Sequence, residues 1–275
     1  FMSRRARNLT KPAIETMEAL PTVVLGFVAG LWLAPFVERH LPGLAAILLI
    51  VPAGVLLASL LWYRLPATLR LRLGDGRELL LMAPWLMLLI ALSIALSAPI
   101  EHWLFEGDTR QWLSQALGVD FDQRNAIVVG MAMGFAVIPT VYSISEDALF
   151  GVPKHLTDAS LALGASPWQT FARVVLPAAS PGLYSAVMIG LGRAVGETMI
   201  VLMATGNTPV MDLSIFQGMR TLSANIAVEL PEAEVNSSHY RILFLTALVL
   251  FAFTLCLNTL AELIRHRLRR RYGAL

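Results

Sequence analysis

The chain has 275 residues, of which 56% are apolar and 15% charged, against the roughly 45–50% and 25% usual in soluble domains. With a mean hydropathy of +0.66 and a net charge of +2, it has too few polar residues to cover a soluble fold and too many apolar ones for a disordered chain. The single cysteine, Cys256, excludes a disulfide framework and a multi-cysteine zinc site.

In chain order, the sequence opens on a basic segment, 1–19, with Arg4, Arg5, Arg7 and Lys11. Six apolar stretches follow: Leu20–Val37, Gly43–Tyr63, Leu79–Pro99, Ala126–Tyr142, Leu183–Ala204 and Ile242–Ala261. Each is close to the roughly 17–25 residues a helix needs to cross a bilayer, and they are apolar all round, unlike barrel strands. The expectation is an all-α integral membrane protein, a polytopic bundle of six transmembrane helices. With both ends inside, fifteen of the 21 Lys and Arg fall on the inner side and five outside, which the positive-inside rule favours. The basic pI of 8.9 therefore reflects inner loops against membrane lipids rather than a nucleic-acid surface. The inner hairpin between the second and third spans carries Arg64, Arg70, Arg72, Arg77 and a Gly74-Asp75-Gly76 turn. The chain is expected to end in a basic cytoplasmic tail, 263–275. Because the sequence opens at Phe1 rather than Met, further residues are expected to precede it in the intact protein.

Three spans carry Gly-x-x-x-Gly, at Gly26/Gly30, Gly130/Gly134 and Gly192/Gly196. One absent side chain per turn on one face allows two backbones to approach closely. The inner loop from Ser143 to Gly182 has helix punctuation instead of loop chemistry. Pro153 opens a helix over Lys154–Leu163, and Gly164 supplies a left-handed stop. Ser166-Pro167 starts a second helix with an apolar stripe at Trp168, Phe171, Val174 and Val175, and Leu176-Pro177 is expected to close it. Its first helix presents Ala159, Ser160 and Ala162, small residues suited to close approach by a partner protein rather than to lying on lipid.

Catalytic chemistry has no foothold. Lys11 and Lys154 are the only lysines and neither sits in a P-loop. His40, His102, His155, His239 and His266 are scattered, without zinc spacing, and no nucleophile elbow occurs. The expectation is no catalytic residue and no metal. In the fifth span, however, Arg193 and Glu197 stand at i, i+4, where they share a helix face and can pair. A charge at the bilayer centre costs at least about 2.5–3.5 kcal/mol and belongs against a partner or a polar path. Two readings stand: a structural ion pair, or a pathway lining in which Glu197 holds Arg193 until an anion competes. Thr198, Thr205 and Asn207 extend the polar stripe, and Asn258 reads as an interhelical hydrogen bond.

Asp158-Ala159-Ser160, three residues, Gly164, nine residues, Val174-Val175-Leu176-Pro177 resembles the EAA signature of ABC-importer permeases, with Asp for Glu, Ser for Ala and Val for Ile. KPAIETMEALPTVVLGF at Lys11–Phe27, SISEDAL at Ser143–Leu149, GLGRAVGETM at Gly190–Met199 and MRTLSANIAVEL at Met219–Leu230 resemble the PstC/PstA-type membrane subunits of phosphate-uptake ABC transporters. The resemblance implies a type I ABC-importer permease fold with a cytoplasmic coupling-helix loop. Asp158, Ala159, Ser160, Gly164, Leu176 and Pro177 would engage the ATPase, and Arg193, Glu197 and Thr198 would line the path of phosphate. It implies a second homologous permease, a dimer of ATP-binding subunits using ATP and Mg, and a periplasmic phosphate-binding protein, with no cofactor on this chain. Family members carry further helices before the KPAIE segment, and the stretch Glu38–Arg124, with its two spans, stands out as an insertion. The alternatives are a permease for another oxyanion or small solute, and a non-transporting membrane scaffold or phosphate-sensing subunit.

Overall fold

The computed structural model describes residues 4–64, 78–211 and 213–272. The Gly74-Asp75-Gly76 turn, with Arg70, Arg72 and Arg77, and Asp212 lie outside the described residues. Among the described residues the regular structure is helical throughout. Among them five helices are long and apolar enough to cross a membrane, and a bent pair, Met82–Ala95 with Ser97–Leu117, passes the same test when taken together.

The N-terminal segment is a helix in its own right, α1 (Arg4–Glu18). Pro21, in an extended conformation, separates it from the first span. That span is composite: α2 (Thr22–Val28), a π turn over Ala29–Leu33 and α3 (Ala34–Arg39). Pro35 lies two residues after the π turn. A proline has no N–H for the carbonyl four residues back and its ring presses on that carbonyl. The wider π turn takes up both defects and the span continues.

Next come α4 (Leu41–Arg64), α5 (Glu78–Ala95), α6 (Ser97–Leu104) and α7 (Thr109–Leu117). The span expected to run unbroken over Leu79–Pro99 instead bends by 43° between Ala95 and Ser97. Pro99 cannot donate to the Ala95 carbonyl, which removes a rung of the ladder at the bend. α4 and α5 lie against each other through glycines that no Gly-x-x-x-Gly marks. A Cβ at Gly43 would lie 2.5 Å from the Ser93 carbonyl oxygen, and one at Gly54 would strike Leu89. The Gly43 N–H donates to Ser97 Oγ at 3.2 Å, and Trp85 Nε1 donates to the Gly54 carbonyl at 3.1 Å. Leu48, Leu49, Leu56 and Leu60 remain exposed on α4, as befits a face turned to lipid.

The second half holds α8 (Ala126–Phe150), α9 (Lys154–Ala162), α10 (Pro167–Thr170), α11 (Leu176–Gly196), α12 (Met199–Ala204), α13 (Leu222–Glu229) and α14 (Ser238–Tyr272). Leu176-Pro177 does not close the second inner-loop helix. A second π turn, Phe171–Val175, again stands two residues before a proline, Pro177, and α10 runs through it into α11. The fifth span accordingly starts well before Leu183 and stops at Gly196, not Ala204. α14 runs past Ala261 to Tyr272, so the basic tail is largely helical.

α8 and α11 are antiparallel: Gly182 faces Ala148, and a Cβ at Gly190 would meet Val141 at 2.6 Å and Val137 at 2.8 Å. α2 crosses α12 with comparable closeness. A Cβ at Gly26 would lie 2.8 Å from the Met199 carbonyl oxygen, and one at Gly30 would lie 2.6 Å from that of Met203. Around this crossing Ala29, Ala34, Val129, Ala132, Ile200 and Ala204 form the buried core, small side chains that let helices approach. Gly26/Gly30 is thus a packing face. Gly130, Gly134 and Gly196 have nothing within 4 Å, and Gly192 has only Asn258 Oδ1 at 3.8 Å, so the contacts expected of them are not made within this chain.

Gly30→Val should therefore overpack the α2–α12 crossing and destabilise the purified chain by about 1–3 kcal/mol. Gly134→Ala, on an open helical face, should be neutral or stabilising. Thermal unfolding in detergent distinguishes the two, and equal effects would contradict the packing described.

Candidate functional site

α8 sets the depth scale. Thr140 lies fourteen residues, about 21 Å, from its outer end and two residues before Tyr142, where its apolar run ends. Arg193, in the last turn of α11, reaches across to this level, where Nη1 donates to Thr140 Oγ1 at 2.7 Å. The same nitrogen is 3.7 Å from Glu18 Oε1, at the end of α1. A cation in the last turn of a helix is also favoured by the macrodipole.

Glu197 is not the partner of Arg193. α11 stops at Gly196, and Glu197 is extended (φ −66°, ψ 128°), so the i, i+4 geometry of a continuous helix is lost. Its Oε1 accepts instead from the Met199 and Ile200 N–H groups at 3.2 and 3.4 Å, satisfying donors at the start of α12. Its carbonyl accepts from Ser223 Oγ at 3.1 Å, tying the break to α13. Thr198 turns back to the Gly196 carbonyl at 3.3 Å. Arg193 and Glu197 still line one narrow crevice with Met133, Ala136 and Val137. They share a site without sharing a bond.

Two further polar groupings extend this seam. Towards the inner end Lys11 Nζ is 3.1 Å from Glu146 Oε2, whose side chain is 7% exposed. Towards the outer end Arg220 donates to Asn207 Oδ1 at 3.0 Å, Asn225 Oδ1 at 3.2 Å and Glu229 Oε1 at 3.0 Å. Gly206 and Asn207 both take left-handed φ there, +68° and +57°, and Thr205 Oγ1 donates to the Met219 carbonyl at 2.7 Å. Sequence reasoning missed Glu18, Thr140, Glu146 and Arg220 as site residues. The available signal was the spacing of Lys11 and Glu18, seven residues apart and so on one helix face. Asn258 lines a separate crevice of about 340 Å³ with Tyr184, Ser185, Gly192, Glu262 and Arg265.

The inner loop follows its punctuation at Gly164 and Ser166, though not at Leu176-Pro177. Gly164 is left-handed at φ +85°, and Ser166 and Gln169 form a reciprocal capping box. Ser160 hydrogen-bonds Thr170 at 3.0 Å, stapling α9 to α10. Asp158 and Ala159 are exposed, and so are Leu163 and Trp168, at 89% and 72%. Leu176 is partly exposed and Pro177 half-buried, at the start of α11 rather than in the exposed pair.

The family model described as binding-protein-dependent transport system inner membrane component matches residues 1–272. The chain belongs to this family. This inner membrane component is 29% identical over 252 residues to the phosphate transport system permease protein PstC of Mesorhizobium japonicum, covering 88% of the chain and 75% of that relative. It is 38% identical over 136 residues to the probable ABC transporter permease protein YqgH of Bacillus subtilis, covering 48% and 44%. Over 150 residues it is 35% identical to the phosphate transport system permease protein PstA 1 of Mycobacterium tuberculosis, covering 54% and 49%. No solved structure gives a significant match. As a multi-pass inner membrane component with all-helical architecture, the chain places its charged seam among α1, α8 and α11.

Lys11→Met should expose the inner part of this seam. Removing one member of a fully buried pair costs about 3–5 kcal/mol; with Lys11 about a third exposed, a loss of roughly 1–3 kcal/mol is expected after solvent screening. Adding Glu146→Gln should recover part of it in thermal unfolding. No recovery in the double variant would contradict the pairing.

Proposed function

We propose that this chain is the membrane-spanning permease subunit of an ATP-driven importer that carries inorganic phosphate inward across the bacterial inner membrane. The observation that carries this reading is the Arg193 guanidinium, held at membrane depth against Thr140. A guanidinium there is costly, and its planar fork of donors matches a phosphate oxyanion. The names of the relatives over most of the chain support phosphate as the substrate. Glu197 and Thr198 belong to the same path through the break that they build between α11 and α12.

ATP hydrolysis, with its ATP and Mg, falls to a pair of ATP-binding subunits, and this chain is not an enzyme. They dock on α9 and the turn after it, where Asp158, Ala159, Leu163 and Trp168 stand exposed, and Ser160, Gly164, Leu176 and Pro177 hold the angle of the loop. A second, homologous permease covers the open Gly130/Gly134 face of α8, and a periplasmic phosphate-binding protein meets the outer segment 205–240. The insertion 38–124 is peripheral to the path, since its long helices α4 and α5 pack on one another and present leucines outward.

Reconstitution with these partners in proteoliposomes tests the reading. ATP-dependent phosphate uptake is expected, and Arg193→Gln should lower it at least about tenfold without loss of assembly, because charge-assisted hydrogen bonds worth roughly 1.5–3 kcal/mol disappear. Normal uptake by Arg193→Gln contradicts the pathway role. Uptake of a different oxyanion in place of phosphate changes the substrate, and no ATP-dependent uptake at all favours the scaffold alternative.

Gly164→Val provides a separate test of the loop. A β-branched residue at φ +85° is strained, so α9 should be re-aimed and ATP hydrolysis should lose its coupling to uptake while membrane insertion persists. Unchanged coupling would contradict docking at this loop.

A further inference from the structure

Resting on the reading of Arg193 as the anion contact, we infer that Glu18 is the counter-charge that an incoming oxyanion displaces from Arg193. Arg193 Nη1 is 2.7 Å from Thr140 Oγ1 but 3.7 Å from Glu18 Oε1. The hydroxyl is hydrogen-bonded; the carboxylate is paired by charge without a short bond. Glu18 is 50% exposed and Arg193 34% exposed, so their contact borders an opening from which an anion can approach.

The position of Glu18 makes it a weakly held partner. It is the last residue of α1, where a negative side chain opposes the helix macrodipole. No hydrogen bond from a backbone N–H to its carboxylate holds it among the described contacts, in contrast with Glu197, which is committed to the Met199 and Ile200 N–H groups. A carboxylate and an oxyanion repel each other within about 4–6 Å, so an oxyanion arriving at Arg193 Nη1 competes with Glu18 for it. Arrival of the anion displaces Glu18, and return of Glu18 expels the anion.

α1 is built to permit that exchange. Two turns before Glu18 on the same face, Lys11 is anchored to Glu146 on α8 at 3.1 Å. Just after Glu18 the helix is interrupted, with Pro21 extended before α2 begins. The carboxylate therefore sits between a fixed point and a break. Tyr142 and Ser143 of α8 line the space beside it, together with Glu15 and Ile14 of α1.

The test uses the assembled importer in proteoliposomes. Glu18→Gln removes the competitor but keeps the size and polarity of the side chain. Anion binding should tighten and release should slow, so the maximal uptake rate should fall, and equilibrium binding of radiolabelled phosphate to the permease pair, measured without the binding protein, should tighten, each by about two- to fivefold, the range for a solvent-accessible ion pair. A merely structural Glu18 would lower the rate without tightening that binding, and that result, or no change in either, overturns the inference.

A second measurement separates this inference from the choice of substrate. In a Cys256→Ser background, Glu18→Cys is treated with an anionic thiosulfonate reagent in the presence of phosphate, sulfate or chloride. Protection by phosphate is expected, and it should vanish when Arg193→Gln is added. Protection by sulfate alone upholds displacement at this position and overturns phosphate as substrate. Protection by none of the anions overturns displacement, even where the wild-type importer takes up phosphate.

Discussion

An ionised guanidinium at membrane depth must find compensation within the protein, and much of this structure follows from how Arg193 finds it. Its own helix does not supply the partner: α11 ends at Gly196, and Glu197 turns away to the first N–H groups of α12. Compensation comes from a hydroxyl on α8 and a carboxylate on α1. Three elements distant in sequence therefore meet at one charge. The interruption after Glu18 and the one after Gly196 both lie beside it. In a membrane, such interruptions are tolerated where protein or a polar cavity satisfies the freed backbone groups, and Glu197 and Ser223 do so here.

The approach of the helices depends on absent side chains. At the α2–α12 crossing, Gly26 and Gly30 bring backbone against backbone, and at the α8–α11 crossing Gly182 and Gly190 admit Ala148, Val137 and Val141. These contacts hold α8 and α11 in the register that lets Arg193 reach Thr140. The two π turns preserve the same register by a different device. Each precedes a proline, Pro35 or Pro177, and carries a helix past a residue that would otherwise end it. The second of them makes α10 continuous with α11, so a displacement of the exposed α9–α10 loop is delivered directly to the helix that bears Arg193.

What the sequence made legible was local. Long apolar stretches located the crossings because hydropathy over some twenty residues needs no knowledge of neighbours. Gly164 and the Ser166-Pro167 start marked the turn between the two inner-loop helices because each acts within a few residues. The bend after Ala95 was hidden inside a uniformly apolar run, and the end of α11 at Gly196 inside a span that hydropathy reads as one helix. The i, i+4 rule paired Arg193 with Glu197 because it presumes an unbroken helix, and the true carboxylate, Glu18, is brought near only by tertiary packing. The Gly-x-x-x-Gly pattern found Gly26 and Gly30 but passed over Gly43, Gly54, Gly182 and Gly190, whose importance lies in what faces them. Gly130 and Gly134, which the pattern also found, remain open among the described residues.

The central claim is that an oxyanion takes the place of Glu18 on Arg193. An electron cryo-microscopy map of the assembled importer, trapped with phosphate in the membrane path, tests it most directly. The account predicts density for the anion about 3 Å from the Arg193 guanidinium, with Thr140 still in contact and the Glu18 carboxylate withdrawn. Anion density elsewhere in the path, with Glu18 still paired to Arg193, would contradict it.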